Sequence, residues 1–537
     1  MRGRMAARDR EPLLRPEESE SEDEVIFEQK KAGKSVGRES HHVAFTFEEA
    51  VEEAGFGRFH MALLVICGWA NASDAIEILC VSFLLPTARC DLQLGTADMG
   101  WLTASIFLGM MAGGYVWGVL ADLRGRQKIL VFSLTTNGIF GAVSSLAPNY
   151  WLFLLLRFMS GIGVGGSLPI IFSYFSEFQP RNKRGSMVSA LATFWMAGNI
   201  LGAGLAWLVI PRTSLSFQLG SLHFQSWRVF VMLCSIPSLS SALVYALGMP
   251  ESPKYLMEAG REEEALRVFQ RMFYWNHRGS ARSFSVQRLA IPSAEKSSSM
   301  FYDSRADWLK HQMLKGLDPI RKILSHELRS RSITLSLIFF SISFGYYGLW
   351  MWFPELLKRI ETVGGSACSH NWNSSNGEDV ENDTCYPVRT AVYKEGFIIA
   401  AANLPGNILT ILMMDLLGGK LMLCVSLFLS GLSAFFIWEV KTKTQSLIMS
   451  CLFSAISVVA WNSLDVIGLE MYPTQLRSSA LGVFTGVSRI ASILGNLAFG
   501  QLIDVNCTVP ILLVAVILFV GSLACLKLPN TKNIELS

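Results

Sequence analysis

Runs of about 20 apolar residues recur along most of this chain, each closed by a short polar turn. That feature leaves few choices. A run of this length matches the roughly 30 Å hydrocarbon core of a bilayer. Inside that core the backbone must satisfy its own hydrogen bonds, so only helices and closed barrels span it. The runs are too long for barrel strands and lack a period of two. The expected fold is therefore all-α and integral to the membrane, with twelve transmembrane helices. They are placed near 60–86, 99–121, 128–147, 151–176, 186–210, 228–248, 332–356, 396–416, 419–438, 445–471, 480–503 and 509–528. Composition agrees: 51 % of the 537 residues are hydrophobic and 17 % are charged, the charges gathering in the turns and the N-terminal segment. A net charge of +3 is too small to suggest a nucleic-acid partner.

Loop charges set the orientation. Arg124, Arg126 and Lys128 follow the second run, and Arg181, Lys183 and Arg184 follow the fourth. The segment 249–331 is rich in Arg and Lys, and Arg477 follows the tenth run, whereas the turns at 148–150 and 504–508 carry no basic residue. Lys441 and Lys443 run against the trend. Both termini are expected in the cytosol. Residues 1–58 are expected to be a disordered cytosolic tail, with no cleavable signal because a charged stretch replaces any apolar core. Within it, Asp9 stands four residues before the pair Leu13-Leu14, a pattern similar to a dileucine sorting signal that clathrin adaptors bind; the alternative is an ordinary tail. The other expected divisions are a six-helix bundle over 59–248, a cytosolic linker over 249–331, a second bundle over 332–528 with a lumenal loop at 357–395, and a tail at 529–537.

The two bundles repeat one design. "EFQPRNKRG" from Glu177 and "EMYPTQLRS" from Glu470 share Glu, a Pro three later and an Arg seven later (Arg184, Arg477). Asp122-x-x-Gly125-Arg126 likewise has a counterpart in Asp415-x-x-Gly-Gly-Lys420. Both motifs recur at one offset of 293 residues, 122 to 415 and 177 to 470. The first stretch, "GVLADLRGRQK" from Gly118, resembles the signature of the major facilitator superfamily between its second and third spans. In such proteins two six-helix halves rock about a cavity at the midplane. On that reading Gly118 allows close helix approach, Asp122 accepts hydrogen bonds at a helix start, and Arg126 bridges to a carboxylate on another span. Gly118, Asp122, Gly125, Arg126, Glu177, Arg184, Asp415, Glu470 and Arg477 form the expected cytosolic gate, a switchable latch; a solvated turn that only fixes topology is the alternative. "PESPKYLMEAGREEEA" from Pro250 is similar to the motif after span six of sugar and organic-ion facilitators. More closely, "SGIGVGGSLPIIFSYFSEF", "SFGYYGLWMWFPELL" and "AWNSLDVIGLEMYPTQLRSSALGV" resemble the synaptic vesicle glycoprotein 2 family over roughly residues 45–530. That family carries a long lumenal insert between spans seven and eight, and 357–395 is far shorter, so properties of that insert do not carry over.

Charges inside an apolar run cost several kcal/mol unless paired or hydrated. Asp74 and Glu77 are three residues apart on one face of the first run. At ~1.5 Å per residue, Asp74 and Arg157 both fall about 9 Å from the lumenal edge. Asp74, with Glu77, is the expected proton carrier and Arg157 its modulator; a static ion pair is the alternative. Trp195, Asn199, Tyr346, Tyr347, Trp461, Asn462 and Asp465 are the expected substrate site. The resemblance points to Tyr346, Tyr347, Trp461, Asn462 and Asp465 as ligand-pocket positions, and aromatic rings hold flat or cationic ligands. Ordinary helix packing is the alternative for any one ring.

The segment 357–395 holds two glycosylation sequons, at Asn373 and Asn382, bracketed by Cys368 and Cys385, for which a Cys368–Cys385 disulfide is expected in an oxidising lumen. The other cysteines lie mostly within spans, where a small apolar packing role is the default expectation. No P-loop, metal-ligand spacing or enzyme motif is present, so neither a cofactor, a metal nor an enzymatic activity is expected. The sequence reads as a monomeric, proton-coupled transporter of a small organic solute, an organic ion or sugar-like, working by alternating access in an intracellular vesicle or endolysosomal membrane, with the plasma membrane as alternative. The rival is a transporter-shaped trafficking or regulatory protein that moves little or nothing.

Overall fold

The computed structural model describes residues 44–219, 222–277, 284–290, 321–326, 328–363, 388–472 and 474–529. The chain divides into two compact units, Met1–Ala44 and Phe45–Ser537, and the helices below all lie in the second. A short helix α1 (Phe47–Ala54) precedes six long elements: α2 (Arg58–Asp91), α3 (Thr96–Arg124), α4 (Arg126–Ser144), α5 (Tyr150–Ser176), α6 (Arg184–Val209) and α7 (Ser226–Gly248). A small hairpin, β1 (Phe217–Leu219) and β2 (Leu222–Phe224), sits between α6 and α7. Helices α8 (Pro253–Glu258) and α9 (Glu262–Asn276) follow. The second half comprises α10 (Arg329–Trp350), α11 (Phe353–Val363), α12 (Thr390–Ala401), α13 (Asn403–Leu417), α14 (Gly419–Glu439), α15 (Lys443–Glu470), α16 (Thr474–Leu502) and α17 (Thr508–Cys525).

Eleven stretches of helix among the described residues are long and apolar enough to cross a membrane. The expected third span is helical too, as the 19-residue α4, but falls short on composition. Its buried face carries Ser133 and Asn137, and the reason appears below. The expected seventh span breaks after Trp350, where α11 takes over, and the eighth starts at Thr390 and bends at Ala402 between α12 and α13. The tail expected to be unstructured to residue 58 gives way earlier. Thr46 and Glu49 form a reciprocal capping box that starts α1, and Ala50, Val51 and Ala54 are buried.

Packing repeats at the offset seen in the motifs. Gly113 of α3 lies against the carbonyl oxygen of Ile162 on α5, where a Cβ would collide. Gly406 of α13 meets the carbonyl oxygen of Ala455 on α15 in the same way; both members of the crossing have moved 293 residues. Gly125 (φ 101°) and Gly418 (φ 82°), again 293 apart, each end one helix and start the next in a conformation that favours glycine. Gly118, expected to permit close approach, has nothing within 4 Å of its Cβ position. The tight seam instead uses Gly109 and Gly113 against Gly161 and Gly165, one turn apart on each helix.

Call the end bearing Arg124, Arg126 and Lys128 the basic end and the opposite one the far end. Contacts between the halves gather toward the far end. Gly100 of α3 touches Gly500 of α16 backbone to backbone. Thr96 donates to Asp504 (2.5 Å), which also receives Arg359 (2.9 Å). Ser82 donates to the Met351 carbonyl (2.7 Å) and Lys358 to that of Pro86 (3.0 Å), while Arg89 lies 3.8 Å from Glu355. Ring contacts Phe83–Tyr393 and Trp207–Phe397 add to the seal. Cys90, at the end of α2, and Cys507, before α17, are each disulfide-bonded, and the other six described cysteines are free. The packing role expected by default for cysteines outside 357–395 does not hold for these two.

Candidate functional site

Two sites emerge, one in each half. In the first half α2, α4, α5 and α7 converge on a buried polar network. Asp74, Glu77 and Arg157 are all fully buried. The pairing differs from expectation: Arg157 forms its ion pair with Glu77, not Asp74. A three-residue step on a helix leaves the two carboxylates about 60° apart around the axis, enough to aim them at different neighbours. Arg157 also reaches the Cys80 sulfur (3.7 Å) and lies over the Phe153 ring. Asp74 has no cationic partner among the described residues. Its oxygens accept from Ser167 Oγ (2.6 Å) and Asn137 Nδ2 (3.3 Å). Ser160 Oγ joins the two carboxylates' surroundings, facing both Glu77 Oε1 (3.0 Å) and Asn137 Oδ1 (2.9 Å). Asn137 ties α4 into this network, and no charge or motif marked it in the sequence.

In the second half, rings from α10 and α15 cluster with one from α3. Tyr346 and Tyr347 have centroids 5.2 Å apart, and Trp461 lies 6.5 and 6.0 Å from them. Phe107 of the first half comes within 5.0 Å of Tyr347, and Trp350 stacks on Tyr346. Asn462 donates to Asn407 (2.8 Å). Asp465, one turn beyond Trp461, has accessible surface although surrounding protein desolvates it, and it acts electrostatically on the buried Tyr347 hydroxyl; its open side therefore faces space inside the molecule. The expected set missed Arg489 of α16, whose positive charge acts on that same hydroxyl. Asp465 and Arg489 thus present opposite charges around one tyrosine. Trp195 is part-buried on α6 and Asn199 is buried with an unpartnered Nδ2; no described contact joins either to the ring cluster.

At the basic end Arg126 forms an ion pair with Glu177 and lies 3.9 Å from the exposed Asp122. Ser252 donates to the other Glu177 oxygen (2.5 Å), and Glu251 accepts from the Gln127 amide (2.8 Å). The motif after α7 therefore folds onto the turn beside Gly125. Arg184 is directed elsewhere, to Glu48 of α1 (3.0 Å). Arg477 is part-buried with an unpartnered Nε. All described partners in this latch belong to the first half. The side chains of Asp415 and Glu470 lie outside what is described, as do Asp9, Leu13, Leu14, Asn373, Asn382, Cys368 and Cys385.

Comparison with known proteins adds context to this geometry. Residues 59–314 match the family described as "Sugar (and other) transporter". Synaptic vesicle glycoprotein 2C of Mus musculus is 31 % identical, the alignment covering 92 % of this chain and 82 % of that protein. Synaptic vesicle glycoprotein 2B of Mus musculus is 31 % identical with coverage of 92 % and 87 %, and 2A of Homo sapiens 31 % with 92 % and 80 %. Among solved structures, the xylose transporter XylE of E. coli in a partially occluded inward-open conformation superposes with a TM-score of 0.65 at 16 % identity, covering 89 % of this chain and all of that one. At that identity the likeness speaks for fold alone.

Proposed function

The chain belongs to the synaptic vesicle glycoprotein 2 family, within the major facilitator superfamily, and from that premise we propose that it moves a small organic solute across an intracellular vesicle membrane by alternating access, coupled to protons. The observation that carries this reading is the exposed Asp465 within the ring cluster, in a molecule whose described cross-half contacts gather at the far end. A carboxylate reachable inside a membrane protein, one turn from Trp461 and near enough to act on Tyr347, suits a solute with a charged or hydroxyl-bearing head and a flat face. Organic ions and sugars both fit; xylose is the substrate that the structural neighbour's name gives.

The basic end is assigned to the cytosol. Loop charge supports this, and disulfide-bonded Cys90 and Cys507 support an oxidising compartment at the far end. The arrangement then corresponds to a cytosol-facing state, with Asp504, Arg359, Glu355 and Arg89 closing the lumenal side. Asp74 is the proton carrier: its hydrogen bonds come from a hydroxyl and an amide, with no ion pair to lose on protonation. The Glu77–Arg157 pair is the fixed counterpart that holds the site together, which retains the static reading for Arg157. The latch around Arg126 and Glu177 would exchange partners when the halves rock.

Reconstituted liposomes test the reading. Saturable uptake of labelled tetraethylammonium or D-xylose, driven by an imposed pH gradient and lost in Asp465→Asn, is expected. Absence of flux for both probes, and across a wider panel, together with capture of cytosolic partners, would favour the trafficking role instead.

A further inference from the structure

The linker carries a strap that the transport reading leaves unexplained. Residues 284–290 run extended along α1 and α9. The Phe45 amide donates to the Arg288 carbonyl (3.0 Å), and the Ala290 amide donates back to the Phe45 carbonyl (2.7 Å), a parallel bridge of Phe45 with Leu289. The Leu289 amide donates to Glu262 Oε1 (2.9 Å). Val286 and Leu289 are buried, and Phe284 packs on Phe273. At the outer face Ser285 is exposed, and its Oγ donates to Glu53 Oε1 of α1 at 2.9 Å.

The sequence around this hydroxyl is Arg282-Ser-Phe-Ser285-Val286. An arginine three residues before a serine, with an apolar residue just after it, suits the acidic cleft of a basophilic protein kinase, in which charge pattern decides the substrate. We propose that Ser285 is a phosphorylation site for such a kinase and that its phosphate unfastens the strap. The proposal rests on the cytosolic placement of the basic end, where ATP is available. In the transfer, Ser285 Oγ bonds to the γ-phosphorus of ATP and the bond from that phosphorus to the bridging oxygen of ADP breaks. The hydroxyl proton passes to the kinase's base, and ADP leaves.

The consequence follows from the contact just described. The serine loses the hydrogen it gave to Glu53 and acquires a charge of about −1.5 to −2 beside that carboxylate. Attraction becomes repulsion at a bridge only two hydrogen bonds wide. Because Val286 is buried and the Arg288 carbonyl is engaged, the strap must peel away before a kinase can read it. Phosphorylation therefore traps an opening that already occurs, and anything that loosens Ser285 from Glu53 should hasten labelling.

The experiment uses the full-length purified protein in nanodiscs, with the catalytic subunit of a basophilic kinase and Mg-ATP. Mass spectrometry should find phosphate on Ser285, lost in Ser285→Ala and reduced about tenfold in Arg282→Ala. Glu53→Ala should raise the initial labelling rate. Hydrogen exchange at the Phe45 and Ala290 amides should quicken about tenfold on phosphorylation, with α5 unchanged, and less so in Glu53→Gln. No phosphate on Ser285 of the folded protein, or phosphate there with both amides exchanging as before, would overturn the proposal. Neither result depends on flux or on membrane orientation, so failure here is separable from failure of the transport reading.

Discussion

The two halves share a scaffold and differ in what they do with charge. In the first, Asp74, Glu77 and Arg157 are sealed among Asn137, Ser160 and Ser167 and withdrawn from water. In the second, Asp465 has accessible surface beside Trp461 within surrounding protein, and the charge of Arg489 acts on Tyr347. A buried ion must have its partners built in; a carboxylate with open space beside it keeps its capacity for a ligand. The division suggests that the first half holds the coupling chemistry and the second the recognition chemistry, with Phe107 reaching across to Tyr347 to join them.

Perturbations of the two halves should then differ in kind, and the largest effect belongs to the sealed network. Arg157→Met leaves Glu77 buried without its cation, a loss of about 3–5 kcal/mol visible as a collapse in thermal stability or yield. Adding Glu77→Gln should recover much of it. If Arg157→Met were as stable as the parent, Glu77 would not depend on this cation. Next, Trp461→Ala should weaken solute binding by about 1–2 kcal/mol, roughly tenfold in affinity, while the melting temperature without solute barely moves. An equal loss of stability would mean that the ring is packing and not a cage. Asp74→Asn should flatten the pH dependence of uptake at a stability cost of about 1 kcal/mol; an unchanged pH profile in protein of normal yield would remove Asp74 from coupling.

The smallest effect is expected at the far end of the second half. Lys443, with help from Arg389, holds the Glu361 carboxyl below its usual range. A depressed carboxyl stabilises the fold above its unfolded pKa of about 4.3 and loses that contribution as pH falls through the folded value. Glu361→Gln should therefore cost about 1 kcal/mol or less at neutral pH, and the parent and variant unfolding curves should converge in acid. A gap that persisted below pH 3 would show that the side chain matters for reasons other than its charge.

Much of the architecture was legible because hydrophobicity and repetition are written along the chain. Span positions and the offset of 293 follow from local pattern, and so does a carboxylate partner for Arg126, although only the structure selects Glu177. What was hidden depends on rotation and on distant neighbours. Asp74 and Glu77 share a face, and only the packing of α5 decides which one Arg157 meets. Arg489 lies fifteen residues into α16 in a stretch with no motif, and a lone cation there gives no hint that Tyr347 waits opposite. Asn137, Ser160 and Ser167 are ordinary small polar residues until α4 and α5 bring them against the carboxylates of α2. Gly118 misled because a glycine within a motif invites a packing role, whereas the seam runs through Gly109 and Gly113.

The crossing of Gly113 over Ile162, and of Gly406 over Ala455, also speaks to ancestry. One six-helix unit, doubled and fused, would inherit the same backbone meeting point twice, and a helix pair that close tolerates no side chain at the knuckle. Geometry was thus preserved at the place where evolution had least room, while Arg157 on one copy and Asp465 on the other were free to drift into separate trades.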